Sequence, residues 1–463
     1  MSSTRQPPPG PPREEHSASP FHATLEQADA LYRAGRAAEA LDRCRRVLAP
    51  SGSLLVFAGQ LAMEIGSLEE GVAYYRAVTA LYPNAVEVFY NLGNALTRLG
   101  RGGEAVDAYR RAAQLRPELV EVQSNLAVAL QALGRWDEAI AVYRTALDAA
   151  PGAPELHRNL GIALERVGRR GEAIDAYRRG VALKPDWPLP YQNLATALLE
   201  EGEAGPALEV CDAWLRVAPG TIEAVGLKSV ALEELGEHEQ ARFLVDLDRF
   251  VRVVHFETPP PGFASMAALN AELTRDILAH STLRAPADND PHYNGPGFTT
   301  TEEMFGPTSG AWAALEKMVR DQIADYLTKE AAPDPSHPFL SHQPASWRPS
   351  AYGTVLQHLA KLAPHIHYDG YVSGVYYCQL PEIAEAGNPT RAGWLEIGRP
   401  QARFHRRGAP EIRAVRPREG TMVLFPSYFL HNTVPFQSDK ARVSIAIDAI
   451  PMSGPRAPRA PRA

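Results

Sequence analysis

The segment PHIHYDG carries His367 and Asp369 two residues apart. On an extended strand, residues two apart point to the same face, so both side chains can reach one metal ion. His431 follows in FLHNTVP, at the end of an apolar run, and Arg442 comes eleven residues later in KARVS, with Ser444 two further on. Two histidines and one carboxylate on one side of a metal leave its other positions open to further ligands. A bidentate arginine is suited to hold a carboxylate where water is scarce. An HxD pair alone is weak evidence. HxD, then a distant histidine, then R-x-S, all in a β-rich stretch, is far more specific. His365 shares the strand face of His367. An HxH pair is therefore the alternative to HxD, and the carboxylate favours HxD because it completes the facial set. His337, His342, His358 and His405 have no partner pattern.

The elements that must position these residues are short β-type runs, which begin near Trp347 and include VSGVYYCQL, GTMVLFP and ARVSIAIDAI. Such runs with frequent turns predict an antiparallel sandwich or barrel. Two helical stretches, near 264–280 and 309–330, precede them. Residues 347–450 resemble the 2-oxoglutarate- and Fe(II)-dependent oxygenases, whose fold is a double-stranded β-helix. The likeness is greatest to a bacterial group with an SGVYY strand after the metal motif, here Ser373–Tyr377, and an FPS strand before the last histidine, here Phe425, Pro426 and Ser427. This resemblance implies Fe(II) held by His367, Asp369 and His431, with 2-oxoglutarate and dioxygen as cosubstrates. It also implies an ion pair from Arg442 to 2-oxoglutarate, assisted by Ser444. Prolyl hydroxylases share a YY pair after their HxD, and by that likeness Tyr377 hydrogen-bonds the cosubstrate. Tyr376 is equally readable as a core aromatic.

The first half of the chain is a repeat. Gly66, Gly100, Gly134, Gly168, Gly202 and Gly236 stand 34 residues apart, and Pro83, Pro117, Pro151, Pro185 and Pro219 keep the same step. Tyr75, Tyr109, Tyr143 and Tyr177 form a third column, continued by Cys211 and Val245. Leu92, Leu96, Ala105, Val106 and Tyr109 make one apolar seam at helical spacing. The period and the segment VEVFYNLGNALTRLGRGGEAVDAYRRAAQLRP resemble the tetratricopeptide repeat, a helix–turn–helix unit. About seven units over 23–250 are expected to form an all-α solenoid. Asn91, Asn125, Asn159 and Asn193 occupy one place in four successive repeats. A ladder of amides can pair with an extended peptide backbone whatever its side chains, or bond locally to the next repeat. The ladder resembles that in the superhelix of O-linked N-acetylglucosamine transferase.

The expected organisation is a tail at 1–22, the solenoid at 23–250, an α+β oxygenase domain with a jelly-roll core at 251–452, and a basic tail at 453–463. ETPPPG at 257–262 marks the joint. The formal net charge of the 463 residues is −7, which predicts no nucleic-acid footprint. The 3 cysteines are widely spaced, excluding a disulfide framework or a cysteine zinc site. No apolar run reaches the roughly 20 residues needed to span a bilayer, and the N-terminus has no hydrophobic signal core, so a cytoplasmic protein is expected. A peptide-binding solenoid joined to a C–H hydroxylase implies a protein or peptide substrate. A small-molecule hydroxylase whose repeats serve docking or oligomerisation is the alternative, and a catalytically silent scaffold is a third reading.

Overall fold

The computed structural model describes residues 20–47, 51–286, 293–294, 297–358, 360–382, 390–404 and 408–452. The 453–463 tail, all but the last three residues of the 1–22 tail, and His405 lie outside these residues. The chain divides into two compact units, Met1–Lys184 and Pro185–Ala463.

The first unit is built of consecutive helix pairs: α1 (Pro20–Arg33) with α2 (Ala37–Arg45), α3 (Gly52–Glu64) with α4 (Leu68–Leu81), α5 (Val86–Arg98) with α6 (Gly102–Leu115), α7 (Val120–Ala132) with α8 (Trp136–Ala149), and α9 (Pro154–Arg166) with α10 (Arg170–Leu183). The glycine column makes the turns. Gly100, Gly134 and Gly168 have φ of 73°, 70° and 76°, where a side chain is strained. The amide after each glycine then donates back to the helix just ended, as Arg101 N to Leu96 O and Arg135 N to Leu130 O, both 2.9 Å. The tyrosine column packs each pair. A Cβ added at Gly93 would lie 2.5 Å from the Tyr109 ring, and one at Gly161 only 2.3 Å from Tyr177. Successive repeats are also joined by exposed ion pairs of Arg110 with Glu138 and Arg144 with Glu172, each worth at most about 1 kcal/mol.

The second unit opens with four more helices of the repeat, α11 (Leu189–Glu200), α12 (Ala204–Val217), α13 (Ile222–Leu235) and α14 (His238–Leu244), then the short α15 (Leu247–Phe250). The repeat pattern thus runs to residue 250, while the packing boundary falls at 184/185. The cause is a shared core, in which Ile222, Val225, Leu244 and Phe250 are buried in one cluster with Tyr428, Phe429 and the sheet residues.

Beyond the helices come β1 (Arg252–His255), α16 (Met266–Leu278), β2 (Leu283–Arg284), β3 (Tyr293–Asn294), β4 (Gly297–Thr300), α17 (Gly310–Thr328), β5 (Trp347–Leu356), β6 (Lys361–Leu362), β7 (Val372–Gln379), β8 (Leu395–Ile397), β9 (Arg413–Val415), β10 (Thr421–Pro426), β11 (His431–Thr433) and β12 (Arg442–Pro451). Among the described residues the large sheet runs β1-β10-β7-β12-β5-β4-β2, a smaller one β11-β8-β9, and β3 pairs with β6. The pairings are antiparallel. This is an all-α tetratricopeptide solenoid followed by an α+β domain with a jelly-roll type of core.

β12 lies between β7 and β5, and its side chains alternate. Val443, Ile445, Ile447 and Ala449 are fully buried with Leu269, Leu273 and Ile277 of α16 and Leu315, Val319 and Ile323 of α17. Each of the valine, leucine and isoleucine side chains contributes about 1.5–3 kcal/mol of burial. The opposite face carries Arg442, Ser444 and Asp448.

The tyrosine-on-glycine packing is testable in two substitutions of opposite sign. Gly161→Val drives a branched side chain into Tyr177 and is expected to cost about 1–3 kcal/mol. Gly171→Ala, where an added Cβ meets nothing within 4 Å, is expected to stabilise α10 by up to about 1 kcal/mol. Urea unfolding followed by circular dichroism measures both. An unchanged Gly161→Val midpoint would contradict the packing.

Candidate active site

Three imidazoles converge at one end of the jelly roll. His365 and His431 stand opposite each other in an antiparallel bridge, and each main-chain amide donates to the other's carbonyl at 3.1 Å. Residues directly opposite in such a pair share a face. Their ring centroids are 4.3 Å apart, and that of His367 lies 5.0 Å from His431. His367 is placed by its amide, which donates to Ser427 O at 3.2 Å. The candidate ligand atoms of the three all fall within 4.8 Å of one another.

Each ring is also oriented from behind. His365 Nδ1 sits 2.8 Å from Ala363 O, His431 Nδ1 3.0 Å from Phe429 O, and His367 Nδ1 2.7 Å from Asp448 Oδ1. An acceptor at Nδ1 fixes the proton there and leaves Nε2 to carry the lone pair, the arrangement that metal-binding histidines use. Asp448 is itself fixed, since Ser373 Oγ donates to it at 2.6 Å and lies 2.7 Å from Ser427 Oγ. The space is tight. A Cβ at Gly370 would come within 2.8 Å of both Asp448 Oδ1 and Ser427 Oγ. Burial pushes the His367 pKa down, but the charge and hydrogen bond of Asp448 outweigh it, and the net shift is upward.

Arg442 is the second feature. It is only 2% exposed, yet no carboxylate pairs with it among the described residues. Its Nη1 donates to Thr433 Oγ1 at 2.7 Å, and its guanidinium carbon lies 5.1 Å from the centroid of the Tyr377 ring. Its Nε and the Tyr377 hydroxyl are both buried without a hydrogen-bond partner. Burial raises the Tyr377 pKa and Arg442 opposes the rise, so the hydroxyl stays protonated and able to donate. A buried cation beside an unused donor costs free energy unless an anion completes the site. Together they offer a positive charge and a hydrogen-bond donor to an anion. Ser444, also buried, lies opposite Tyr377 in the β12–β7 register.

Asp369 is exposed and is not among the groups that converge. It follows a bend after His367 and lies near Glu223 of α13, whose carboxyl pKa is raised by burial first and by the charge of Asp369 second. Tyr368 and Thr433 help line a cleft of about 840 Å³ that also touches Pro364, Arg403 and Asn432. Arg403 is held at its rim by Glu200 at 3.0 Å. Tyr376 belongs to the opposite face of β7, where its hydroxyl donates to Asn270 of α16 at 2.7 Å.

Two contributors escaped the sequence reading. Asp448 had a signal, for Arg442, Ser444 and Asp448 fall on one strand face at even spacing. Thr433 had none, because only the fold brings it to Arg442. His337 is fully buried, and its Nδ1 accepts from the amides of Phe339 and Leu340. The asparagine column is half-buried. The Asn125 amide donates to Tyr90 Oη at 3.1 Å and to Asn94 Oδ1 at 3.2 Å in the preceding repeat, and Gln131 Nε2 donates to the main-chain carbonyl of Asn159.

Residues 350–448 match the family described as "Putative 2OG-Fe(II) oxygenase". Residues 58–119 and 124–188 match the tetratricopeptide repeat. The chain therefore joins a tetratricopeptide region to a domain of the 2-oxoglutarate/Fe(II) oxygenase kind. No curated protein matches it. Similar solved structures include "MamA AMB-1 P212121", at 24% identity over 36% of this chain and 92% of that one, with a TM-score of 0.33. Another is "MamA 41-end from Desulfovibrio magneticus RS-1", at 22% identity over 37% and 97%, with a TM-score of 0.35.

The His367–Asp448 pair makes a pH prediction for the metal-free chain. The pair's contribution to stability is complete below the ordinary histidine pKa of about 6.5 and is lost as pH rises through the elevated folded value. Followed by proton NMR, the His367 midpoint is expected above 6.5. In Asp448→Asn, burial alone acts and the midpoint falls below that in the wild type. An unchanged midpoint would show that Asp448 does not set it.

Proposed function

We propose that the chain is a 2-oxoglutarate- and Fe(II)-dependent dioxygenase that hydroxylates a protein or peptide brought to it by the repeats. The observation that carries this reading is Arg442, a buried guanidinium with no carboxylate partner among the described residues, next to the buried Tyr377 hydroxyl and a histidine cluster. A metal would be held by His367, His431 and either Asp369 or His365 of the PHIHYDG segment. When bound, Fe(II) with 2-oxoglutarate and dioxygen supplies the oxidising power to place one oxygen atom in a substrate C–H bond, as 2-oxoglutarate becomes succinate and carbon dioxide.

The chain's own residues do the rest. Arg442 binds the distal carboxylate of 2-oxoglutarate, Tyr377 donates its hydroxyl proton to it, and Ser444 assists from the same face. Asp448 accepts from Nδ1 of His367, which would leave Nε2 with a lone pair for a metal. Phe425, whose ring lies 4.8 Å from that of His431, helps exclude water from the oxidant. The cleft of Tyr368, Arg403 and Asn432 admits the substrate, and the asparagine column of the repeats binds its extended backbone. All three cysteines are buried and unpaired, and among the described residues no helix is long and apolar enough to cross a membrane. These features support a reducing cytoplasmic setting.

The purified chain is expected to consume 2-oxoglutarate only with Fe(II) present, and His431→Ala is expected to abolish that turnover. A folded wild-type protein that never consumes 2-oxoglutarate in any extract would overturn the reading. For the repeats, Asn125→Ala with Asn159→Ala is expected to weaken hydroxylation of a polypeptide while sparing uncoupled 2-oxoglutarate turnover. Mass spectrometry for the gain of one oxygen atom reads the product, and unchanged product formation would remove the repeats from substrate binding.

A further inference from the structure

The PHIHYDG segment offers two candidates for the third metal ligand, and the geometry separates them. His365 is locked to His431 by two reciprocal main-chain hydrogen bonds of 3.1 Å, which set both side chains on one face of the bridge. The two rings are also held alike, each Nδ1 meeting the carbonyl two residues before it, Ala363 O and Phe429 O. His367 follows on the same face and is held by Asp448 instead. Each ring thus turns Nδ1 to an acceptor behind it, and the candidate ligand atoms of the three lie within 4.8 Å of one another. Metal–nitrogen bonds of about 2.1 Å on one face of an octahedron would place them about 3 Å apart, so the three rings would draw together on binding. The chain bends straight after His367, and Asp369 stays exposed near Glu223.

We propose that His365, His367 and His431 form an all-imidazole shell for a divalent first-row metal, and that Asp369 lies outside it. The inference takes its metal, Fe(II), from the oxygenase reading, but the ligand set stands on the histidine geometry. Its consequence is electrostatic. With no anionic ligand the metal would keep its full charge toward an incoming carboxylate, and the carboxylate of Asp448 would lie one hydrogen bond behind His367. Three nitrogen ligands also suit several late divalent metals, so metal availability contributes to selection.

The test measures metal binding by the full-length chain and needs no turnover. Anaerobic calorimetric titration with Fe(II), and absorption titration with Co(II), are expected to give a dissociation constant at least a hundredfold weaker in His365→Ala and within threefold of wild type in Asp369→Ala. Loss of binding in Asp369→Ala with His365→Ala unaffected would overturn the proposal and leave the oxygenase reading intact. Pulsed electron paramagnetic resonance of the Cu(II)-loaded wild-type chain guards against variants that fail to fold. Three coupled imidazoles support the shell, and two overturn it. A folded wild type that binds none of these metals overturns both the shell and the oxygenase reading.

Discussion

A strand in the middle of a sheet must give its two faces to different surroundings, and β12 meets this constraint with one residue type on each. Val443, Ile445, Ile447 and Ala449 lie against α16 and α17 in a largely apolar layer. Arg442, Ser444 and Asp448 occupy the other face. A slip of one residue in register would place a guanidinium and a carboxylate in the apolar layer, at a cost of several kcal/mol per buried charge. The apolar face therefore sets the position of the reactive one. From that register follow the reach of Arg442 to Thr433, the hydrogen bond of Asp448 to His367, and the pairing of Ser444 with Tyr377.

The same economy governs the histidines. His431 begins β11, while His365 and His367 precede the bend at Tyr368 and Asp369, so separate stretches of chain must meet. Main-chain bonds bring them together, and each side chain is then oriented by one acceptor at Nδ1. Two of those acceptors are backbone carbonyls and the third is a carboxylate held by Ser373. Buried polar groups of this kind persist only when their partners are in place. Arg442 Nε and the Tyr377 hydroxyl are among the buried polar atoms that have no hydrogen-bond partner within the described residues.

What the sequence revealed followed the range of the interactions. The repeat was legible because a 34-residue period puts glycine, proline and tyrosine in columns, and each column acts within its own repeat: Gly100 turns α5 into α6, and Tyr109 packs on Gly93. The helices α16 and α17 and the strands β7, β10 and β12 were legible from local apolar patterning. The limit of the first compact unit was not, since it depends on Ile222 and Val225 joining a core made by residues far along the chain. Among site residues, His367, His431, Arg442 and Tyr377 could be nominated from spacing and likeness. The partnership of His365 with His431 could not, because a bridge between segments more than sixty residues apart leaves no periodic mark. Asp448 shares the strand face of Arg442 and Ser444, but its hold on His367 is visible only once the neighbouring strand brings Ser373 beside it.

The central claim is that a metal site and a buried arginine together form a receptor for a dicarboxylate. Calorimetric titration of 2-oxoglutarate into the Fe(II)-loaded chain under anaerobic conditions tests it directly. The account predicts saturable binding in the wild type, little binding without metal, and at least a tenfold loss of affinity in Arg442→Met, since a charge-assisted hydrogen bond to an ionised group is worth about 1.5–3 kcal/mol. Equal affinity in wild type and Arg442→Met, with the variant folded and loaded with Fe(II), would contradict it.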